Sequence, residues 1–209
     1  MEKGKLIIIS GFSGVGKGTV VKSLTEKYDD CVVSVSATTR NPREGEVDGK
    51  HYFFKTRDEF EKMIEEDKLL EHAEYVGNYY GTPNDFVTDN LNKGNHVILE
   101  IEVQGALKVK DKVADAKSIF ILPPSSKALK DRLVGRGTEK EDVINERLKR
   151  ASEETDLIGN YDYYVVNDTI DECVQDIRDI IDGNFNNELG QSFINQVKEE
   201  VKLFSKGEQ

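Results

Sequence analysis

The fold of this chain is indicated by one stretch near its amino terminus, Gly11-Phe12-Ser13-Gly14-Val15-Gly16-Lys17-Gly18-Thr19. An apolar run, Leu6 to Ile9, precedes it, and apolar residues with helical spacing follow it. The spacing of Gly11, Gly16 and Lys17 is typical of a phosphate-binding loop between a strand and a helix. Glycines allow successive backbone N–H groups to turn towards phosphate oxygens, the helix N-terminus adds partial positive charge, and the lysine supplies a full charge. We therefore predict that this loop binds phosphate groups.

The loop departs from the usual pattern at Gly18, where a serine or threonine would meet a magnesium ion. Thr19 is a candidate to take over this role, directly or through water. Glu100 ends an apolar strand, the position at which an acidic residue often organises magnesium in phosphate-loop proteins. We predict a Mg²⁺ cofactor bound with the nucleotide, and Thr19 and Glu100 are its candidate ligands, with contacts through water.

The composition excludes several classes of partner. The chain has 209 residues, and 29 Lys and Arg against 40 Asp and Glu give a net charge of −11, which disfavours binding to nucleic acid or to an anionic membrane. Apolar runs such as Leu6 to Ile9 are far shorter than the roughly 20 residues that cross a bilayer, and the start MEKGK lacks the apolar segment of a secretory signal. We expect a cytoplasmic protein with buried free thiols at Cys31 and Cys173, which show no metal-binding spacing.

Apolar or β-branched runs bounded by turn residues recur along the chain and have the length of buried strands. They are Leu6 to Ile9, Cys31 to Val35, His96 to Leu99, Ser118 to Leu122 and Tyr163 to Val166. Segments with helical spacing lie between them, and this alternation predicts an α/β fold with a mostly parallel sheet. Three helices are predicted to begin with a capping box, a threonine followed three positions later by a glutamate. The pairs are Thr56 with Glu59, Thr138 with Glu141, and Thr169 with Glu172.

Two interruptions divide this predicted core into residues 1–35, 94–123 and 157–187. Residues 36–93 are rich in aromatic residues, glycine and charge, with one predicted helix around Asp58 to Glu66, and we interpret them as an inserted small mixed α+β domain. In residues 124–156 two helical patterns meet at Gly135-Arg136-Gly137, which predicts a mobile helical lid. Residues 188–209 carry an amphipathic helix that would pack on the core or on a partner, as in a homodimer.

The insert begins with a candidate second phosphate site. Arg40 and Arg43 lie three residues apart on a predicted loop, and Tyr52 follows nearby, so that these side chains could clamp a phosphate. Together with the phosphate loop, the run Ser36 to Tyr52 resembles the guanylate kinases. The likeness covers residues 5 to about 182 in the order of that family. It continues through Leu70-Glu71, Gly77-Asn78-Tyr79-Tyr80-Gly81, Glu100-Ile101-Glu102-Val103-Gln104-Gly105, Gly135-Arg136-Gly137-Thr138 and Val166-Asn167-Asp168.

The resemblance implies that ATP occupies the phosphate loop and GMP occupies the insert. The ATP-binding residues that it implies are Gly11, Ser13, Gly14, Val15, Gly16, Lys17, Gly18, Thr19, Arg132 and Asn167. The implied GMP-binding residues are Arg40, Arg43, Tyr52 and Tyr80 at the phosphate, Ser36, Glu71, Thr82 and Glu102 around the guanine, and also Glu46. Two positions depart mildly from the family: Thr82 replaces the usual serine, and Glu102 stands where many members have aspartate.

The chemistry of guanine agrees with the implied role of Glu71. Guanine presents two neighbouring donors, N1–H and the 2-amino group, which one ionised carboxylate can accept in a fork. Adenine N1 is an acceptor, so it would leave a buried carboxylate unpaired, which discriminates by roughly 10⁴-fold. Taken alone, Glu71 would be interpreted as a solvated charge at a helix end. Of the two neighbouring tyrosines, Tyr79 and Tyr80, we expect Tyr79 only to cover the core of the small domain.

Transfer between two phosphates needs no strong general base, because the acceptor phosphate, with a second pKa of about 6, is mostly a dianion at neutral pH. It needs positive charge and the exclusion of water. The resemblance assigns Arg136 and Arg147 to the lid, and Arg132 is a third candidate there. The catalytic residues that it implies are Lys17, Arg40, Arg136 and Arg147. The alternative is that the lid arginines pair with the many acidic residues near them.

The sequence therefore predicts a magnesium-dependent guanylate kinase that makes ADP and GDP from ATP and GMP. One alternative is a guanylate-kinase-like binding module that takes a phosphorylated peptide, but such modules usually lose residues such as Lys17, Arg136 and Arg147. Another is a kinase for a different small phosphate, such as another nucleoside monophosphate or a ribose bisphosphate. Glu71 with Ser36 favours guanine.

Overall fold

The central sheet consists of five parallel strands in a computed structural model that describes residues 2–75, 77–134, 149–186 and 189–205. In sheet order they are β2 (Cys31–Val33), β7 (His96–Glu100), β1 (Leu6–Gly11), β8 (Lys117–Leu122) and β9 (Tyr163–Val166). Every residue of β1 is buried, as its continuous apolar run predicted, because parallel strands are covered on both faces. The predicted end of the second strand at Val35 is wrong. The N–H of Ser34 makes a last bond to the carbonyl of Ile98 (2.8 Å) before the chain leaves this sheet.

Helices alternate with these strands along the chain and contribute many of the buried residues of the main core. They are α1 (Lys17–Lys27), α2 (Arg57–Glu65), α3 (Asn84–Asn92), α4 (Val103–Lys112), α5 (Ser126–Val134), α6 (Ile170–Asp182) and α7 (Gln191–Ser205). Residues 149–154 are also helical. Within the described ranges, no helix has the length and apolar character needed to span a membrane. The main core contains Cys31 and Cys173 as buried free thiols, as expected.

The three predicted capping boxes have different outcomes. Thr56 and Glu59 form a complete box at the start of α2, with both reciprocal bonds present. At the start of α6, Thr169 accepts from the N–H of Glu172 (3.4 Å), but its hydroxyl also donates to the Glu172 carboxylate (2.6 Å). The cap is therefore present, with a bond between the two side chains. Thr138 and Glu141 lie outside the described residues.

A second, four-stranded sheet falls within the predicted insert, residues 36–93. Its order is β4 (Phe53–Phe54), β3 (Ala37–Thr38), β6 (Asn78–Pro83) and β5 (Leu69–Tyr75). It has a small core of its own, formed by Ala37, Phe60 and Leu69. Tyr79 stacks on Phe60 with ring centroids 5.3 Å apart, so the prediction that Tyr79 covers this core is confirmed.

The C-terminal amphipathic helix packs on the main core of the same chain. Ile194, Val197 and Val201 of α7 are buried there, and Phe193 is half-buried against them. Of the two arrangements that the sequence left open, the structure shows contact with the core. The side chain of Phe204 lies outside the described part.

Candidate active site

The phosphate loop joins β1 to α1, and its conformation depends on two glycines. Gly14 and Gly16 have φ angles of +86° and +95°, a region that side chains with a Cβ rarely adopt. A Cβ on Gly16 would lie 2.7 Å from the side-chain nitrogen of Asn167, and one on Gly14 would lie 2.5 Å from Leu133 Cδ2. Both the backbone conformation and the close packing of the loop therefore require glycine.

Asn167 and Arg132 hold one side of this loop. Asn167 Nδ2 donates to the carbonyl of Val15 (2.8 Å), and Arg132 Nη1 donates to the same carbonyl (3.1 Å). Arg132 Nη2 also donates to the backbone carbonyl of Asn167 (2.9 Å). Because the C=O and N–H of a trans peptide point in opposite directions, the N–H of Gly16 points away from both donors. The two side chains thus fix the direction in which the loop presents that N–H.

A surface depression of about 270 Å³ adjoins this arrangement. Its lining includes Val15, Gly16, Thr19, Arg132, Asn167, Asp168 and Ile170. Two residues that the resemblance assigned to ATP binding, Arg132 and Asn167, therefore border an open depression next to the loop. Their polar groups also support the loop backbone, a contact that the sequence did not predict.

Glu100 lies at the carboxyl end of β7, beside the first turn of α1. A Cβ on Gly18 would be 3.5 Å from Glu100 Oε1. Glu100 is exposed at the end of the strand, but nearby protein groups partly desolvate its carboxyl group and raise its pKa, while the charge of Lys17 acts in the opposite direction. The structure thus brings Lys17, Gly18 and Glu100 together. Thr19, the other candidate magnesium ligand, lines the depression on the Asn167 side.

Glu154 adds a buried carboxyl group that the sequence did not single out. Burial raises the pKa of Glu154 to about 7, with a further contribution from the charge of Glu102, while Lys17 opposes the shift. Its Oε2 is buried and has no hydrogen-bond partner among the described residues. Helical spacing in the sequence could have indicated Glu154, because it follows the buried Ala151 by three residues and lies on the same face of the helix.

Arg40 belongs to a group of charged and aromatic side chains in the insert. Its Nη1 and Nη2 donate to the two carboxylate oxygens of Glu46 (3.0 and 2.8 Å), which also accepts from the N–H of Arg43 (2.6 Å). The guanidinium lies 5.3 Å from the ring centroid of Tyr52, and that ring lies 6.2 Å from the ring of Tyr80. The hydrogen bonds from Arg40 lower the pKa of Glu46 to about 2.

Glu71 on β5 forms the other half of the insert site. It is 9% exposed and accepts a hydrogen bond from Thr82 Oγ1 at 2.8 Å. Burial raises the pKa of Glu71, whereas the Thr82 hydroxyl and the charges of Lys108 and Lys112 lower it. Two of the four residues assigned to guanine by the resemblance, Glu71 and Thr82, are therefore in direct contact in a buried polar site.

The N-terminal part of α4 connects the insert to the phosphate loop. A Cβ on Gly105 would lie 3.2 Å from Glu71 Oε2. Lys108 and Lys112 donate to carbonyls of β5, each at 3.1 Å. Glu102, the cap residue before α4, is exposed and contributes to the raised pKa values of Glu100 and Glu154. Residues 100–105 therefore run from the surroundings of Lys17 to Glu71.

Other predicted site residues take different positions. Ser36 is half-buried before β3, and its carbonyl accepts from the N–H of Phe53 (2.9 Å). Arg43 is exposed, and its backbone N–H makes the contact with Glu46. Arg136 and Arg147 lie outside the described residues. The described part of the chain contains no group of three His, Cys, Asp or Glu that could hold a metal ion.

The fold and these two groups of residues define a phosphate-loop kinase that acts on a small phosphorylated acceptor. The family model described as guanylate kinase matches residues 3–184. The chain belongs to the guanylate kinase family, and it is an ATP:GMP phosphotransferase.

Similar proteins agree with this conclusion. A guanylate kinase of Shouchella clausii is 58% identical over 180 residues, which cover 86% of this chain and 88% of that protein. A guanylate kinase of Caldanaerobacter subterraneus is 55% identical over 86% of this chain and 87% of its own length. The crystal structure of guanylate kinase from Anaplasma phagocytophilum is 33% identical, with a TM-score of 0.69, and the match covers 99% of this chain and 97% of that one. The predicted α/β fold, family and activity are confirmed.

Proposed function

We propose that the phosphate loop binds the phosphates of ATP, and that the Arg40 group and the Glu71–Thr82 pair bind GMP, so that the γ-phosphoryl group passes directly between them. The observation that carries this proposal is the buried carboxylate of Glu71. It contacts Thr82 and the N-terminal part of α4, the same connection that begins beside Lys17. A carboxylate in this position can accept N1–H and the 2-amino group of guanine.

Arg40 retains donors for a phosphate while it is held in place. A guanidinium has five N–H donors, and three of them point to Glu46 and to the carbonyl of Asn41. Those left can reach phosphate oxygens, with the hydroxyl groups of Tyr52 and Tyr80 as additional donors. Glu46 thus acts on GMP through the orientation of Arg40.

The loop residues supply the positive charge that the donor phosphates need. The N–H groups after Val15 and the ammonium of Lys17 face oxygens whose charge changes as the phosphoryl group moves. No side chain has to remove a proton, since the acceptor phosphate is already ionised near neutral pH. The roles of Arg136 and Arg147 in this step stay predictions from the family resemblance.

A magnesium ion fits the residues beside the loop. Glu100 offers oxygen ligands next to Gly18, and Mg²⁺ usually keeps several waters and needs only one or two carboxylates besides the phosphates of its nucleotide. Glu100 would hold such an ion through water, with Thr19 as the second candidate. The ion would neutralise charge on the β- and γ-phosphate oxygens. The cytoplasmic location and a homodimer stay predictions from the sequence.

The experiment that tests the proposal measures ADP formation from ATP and magnesium with GMP, AMP, CMP or UMP as the acceptor. We expect activity with GMP and at most a small fraction of it with the other three. Equal rates with GMP and AMP would contradict the role of Glu71. A chain that binds GMP but forms no ADP would favour the non-catalytic binding module.

A further inference from the structure

The C-terminal helix α7 lies beyond residues 3–184, the segment that the family model matches. It is nevertheless part of the core, because Ile194 and Val197 are 3% and 1% exposed and Val201 is 1% exposed. Its neighbour is α5.

One side chain of α7 occupies the N-terminus of α5. Glu200 Oε2 accepts from the hydroxyl of Ser126 at 2.7 Å and from its backbone N–H at 3.4 Å. The first N–H groups of a helix lack partners within the helix, and a negative charge is favourable beside them. Gln196, one turn earlier on α7, donates to the other oxygen of Glu200 at 2.8 Å and fixes the carboxylate. Ser125 Oγ caps α5 locally by accepting from the N–H of Ala128 (3.1 Å), and Glu200 adds a second cap from a distant part of the chain.

The other end of α5 contacts the phosphate loop. Arg132 donates to the carbonyl of Val15, and the side chain of Leu133 packs where a Cβ on Gly14 would lie. Leu129 and Leu133 are almost completely buried on the same helix. A change in the position of α5 would therefore move the groups that support the loop. The N-terminal end of α5 therefore contacts α7, and its C-terminal end contacts the phosphate loop.

We propose that Glu200 is a positioning residue for the nucleotide-binding loop: it fixes the start of α5, and α5 in turn holds Arg132 and Leu133 against Val15 and Gly14. The inference rests on the proposed function, in which this loop binds ATP. It assigns to α7 a role in the affinity for ATP. The insert does not take part in this role, so the affinity for GMP should not depend on α7.

The test compares Glu200→Ala with Glu199→Ala, which removes the same charge from an exposed position on the same helix. Binding of ATP with magnesium is measured by calorimetry without GMP, and KM values for ATP and GMP are measured separately. We expect Glu200→Ala to raise the Kd and KM for ATP by about 3- to 10-fold and to change the KM for GMP by less than about 2-fold. Glu200→Gln keeps an acceptor for Ser126 and should restore most of the ATP affinity.

Ser126→Ala removes the partner hydroxyl and keeps the inference testable if Glu200→Ala fails to fold. The double variant should cost little more than either single variant, because both remove one interaction. Equal losses of ATP and GMP affinity, or a Glu200→Ala variant that matches Glu199→Ala, would overturn the inference. A wild-type chain that binds no ATP would contradict the proposed function itself, and with it this inference.

Discussion

The phosphate loop and the insert both present groups that suit anions, but they do so with different parts of the chain. The loop presents backbone N–H groups, whose direction is set by glycines and by donors from two other elements, Asn167 after β9 and Arg132 on α5. The insert presents side chains, held by one another through the Arg40–Glu46 and Glu71–Thr82 bonds. A variant of one side chain in the insert should therefore affect either phosphate binding or guanine binding. In the loop, most of the binding groups are backbone N–H groups, and Lys17 is the residue whose side chain contributes a full charge.

The largest effect is expected for Lys17→Ala. The variant removes the charged side chain of the loop but leaves its backbone donors, so we expect kcat to fall by about 10²- to 10³-fold and the KM for GMP to change little. Steady-state kinetics with both substrates varied would measure this. Lys22→Ala, an exposed position on the same helix, is the control and should behave as the wild type. A loss confined to GMP affinity would show that the division between loop and insert is wrong.

Glu71→Gln tests the other side of the comparison. The amide keeps one acceptor but places an NH₂ group opposite a donor of guanine, so kcat/KM for GMP should fall by about 10²-fold or more, and the ratio of GMP to AMP activity should fall with it. The matched control is Glu74→Gln, an exposed carboxylate on the same strand. An unchanged GMP to AMP ratio in Glu71→Gln would remove this residue from base recognition.

The two regions also differ in how far the sequence predicted them. The central strands and the loop follow from apolar runs such as Leu6 to Ile9 and from the glycine spacing, because a buried parallel strand has a continuous pattern. Strands β3 and β4 have two residues each, too short for any periodicity, and the sequence did not predict them. The roles of Glu71 and Thr82 came from the family resemblance, since one glutamate carries no signal that it is buried.

Contacts between distant segments were beyond the reach of the sequence. Nothing in the residues around Val15 indicates that Arg132 and Asn167 donate to its carbonyl, because these positions lie more than a hundred residues away along the chain. Nothing in the residues around Ser126 indicates its contact with Glu200 either, because the two lie 74 residues apart. Local patterns predict elements, whereas the pairing of polar groups depends on how those elements pack.

Glu46→Gln separates orientation from charge in the insert. The variant weakens the pair that holds Arg40, but it also removes a carboxylate that repels the phosphate of GMP. The two effects oppose each other, and the loss of orientation should prevail modestly, so that the KM for GMP rises by about 3-fold. The control is Glu44→Gln, which replaces an exposed glutamate on the same loop. It changes only the electrostatic field at the phosphate of GMP and should leave the KM for GMP unchanged or slightly lower. Equal behaviour of the two variants would mean that Glu46 does not position Arg40.

The smallest effect concerns stability and tests Glu154, whose carboxyl group interacts electrostatically with Lys17 and Glu102. Its pKa of about 7 is above the ordinary value of 4.5, so the folded chain binds more protons at this site than the unfolded chain between those pH values. The contribution of Glu154 to stability therefore falls as the pH rises through this window, by about 1–2 kcal/mol between pH 5.5 and pH 8.5.

Glu154→Gln removes this titration, because the amide is neutral at every pH. Relative to the wild type, its Tm should rise by about 2–8 °C more at pH 8.5 than at pH 5.5, as measured by thermal denaturation in matched buffers. Glu153→Gln, an exposed neighbour, should follow the wild type at both values. A constant difference between Glu154→Gln and the wild type across this range would mean that Glu154 is ionised throughout. Glu154 would then contribute a permanent negative charge that interacts with Lys17.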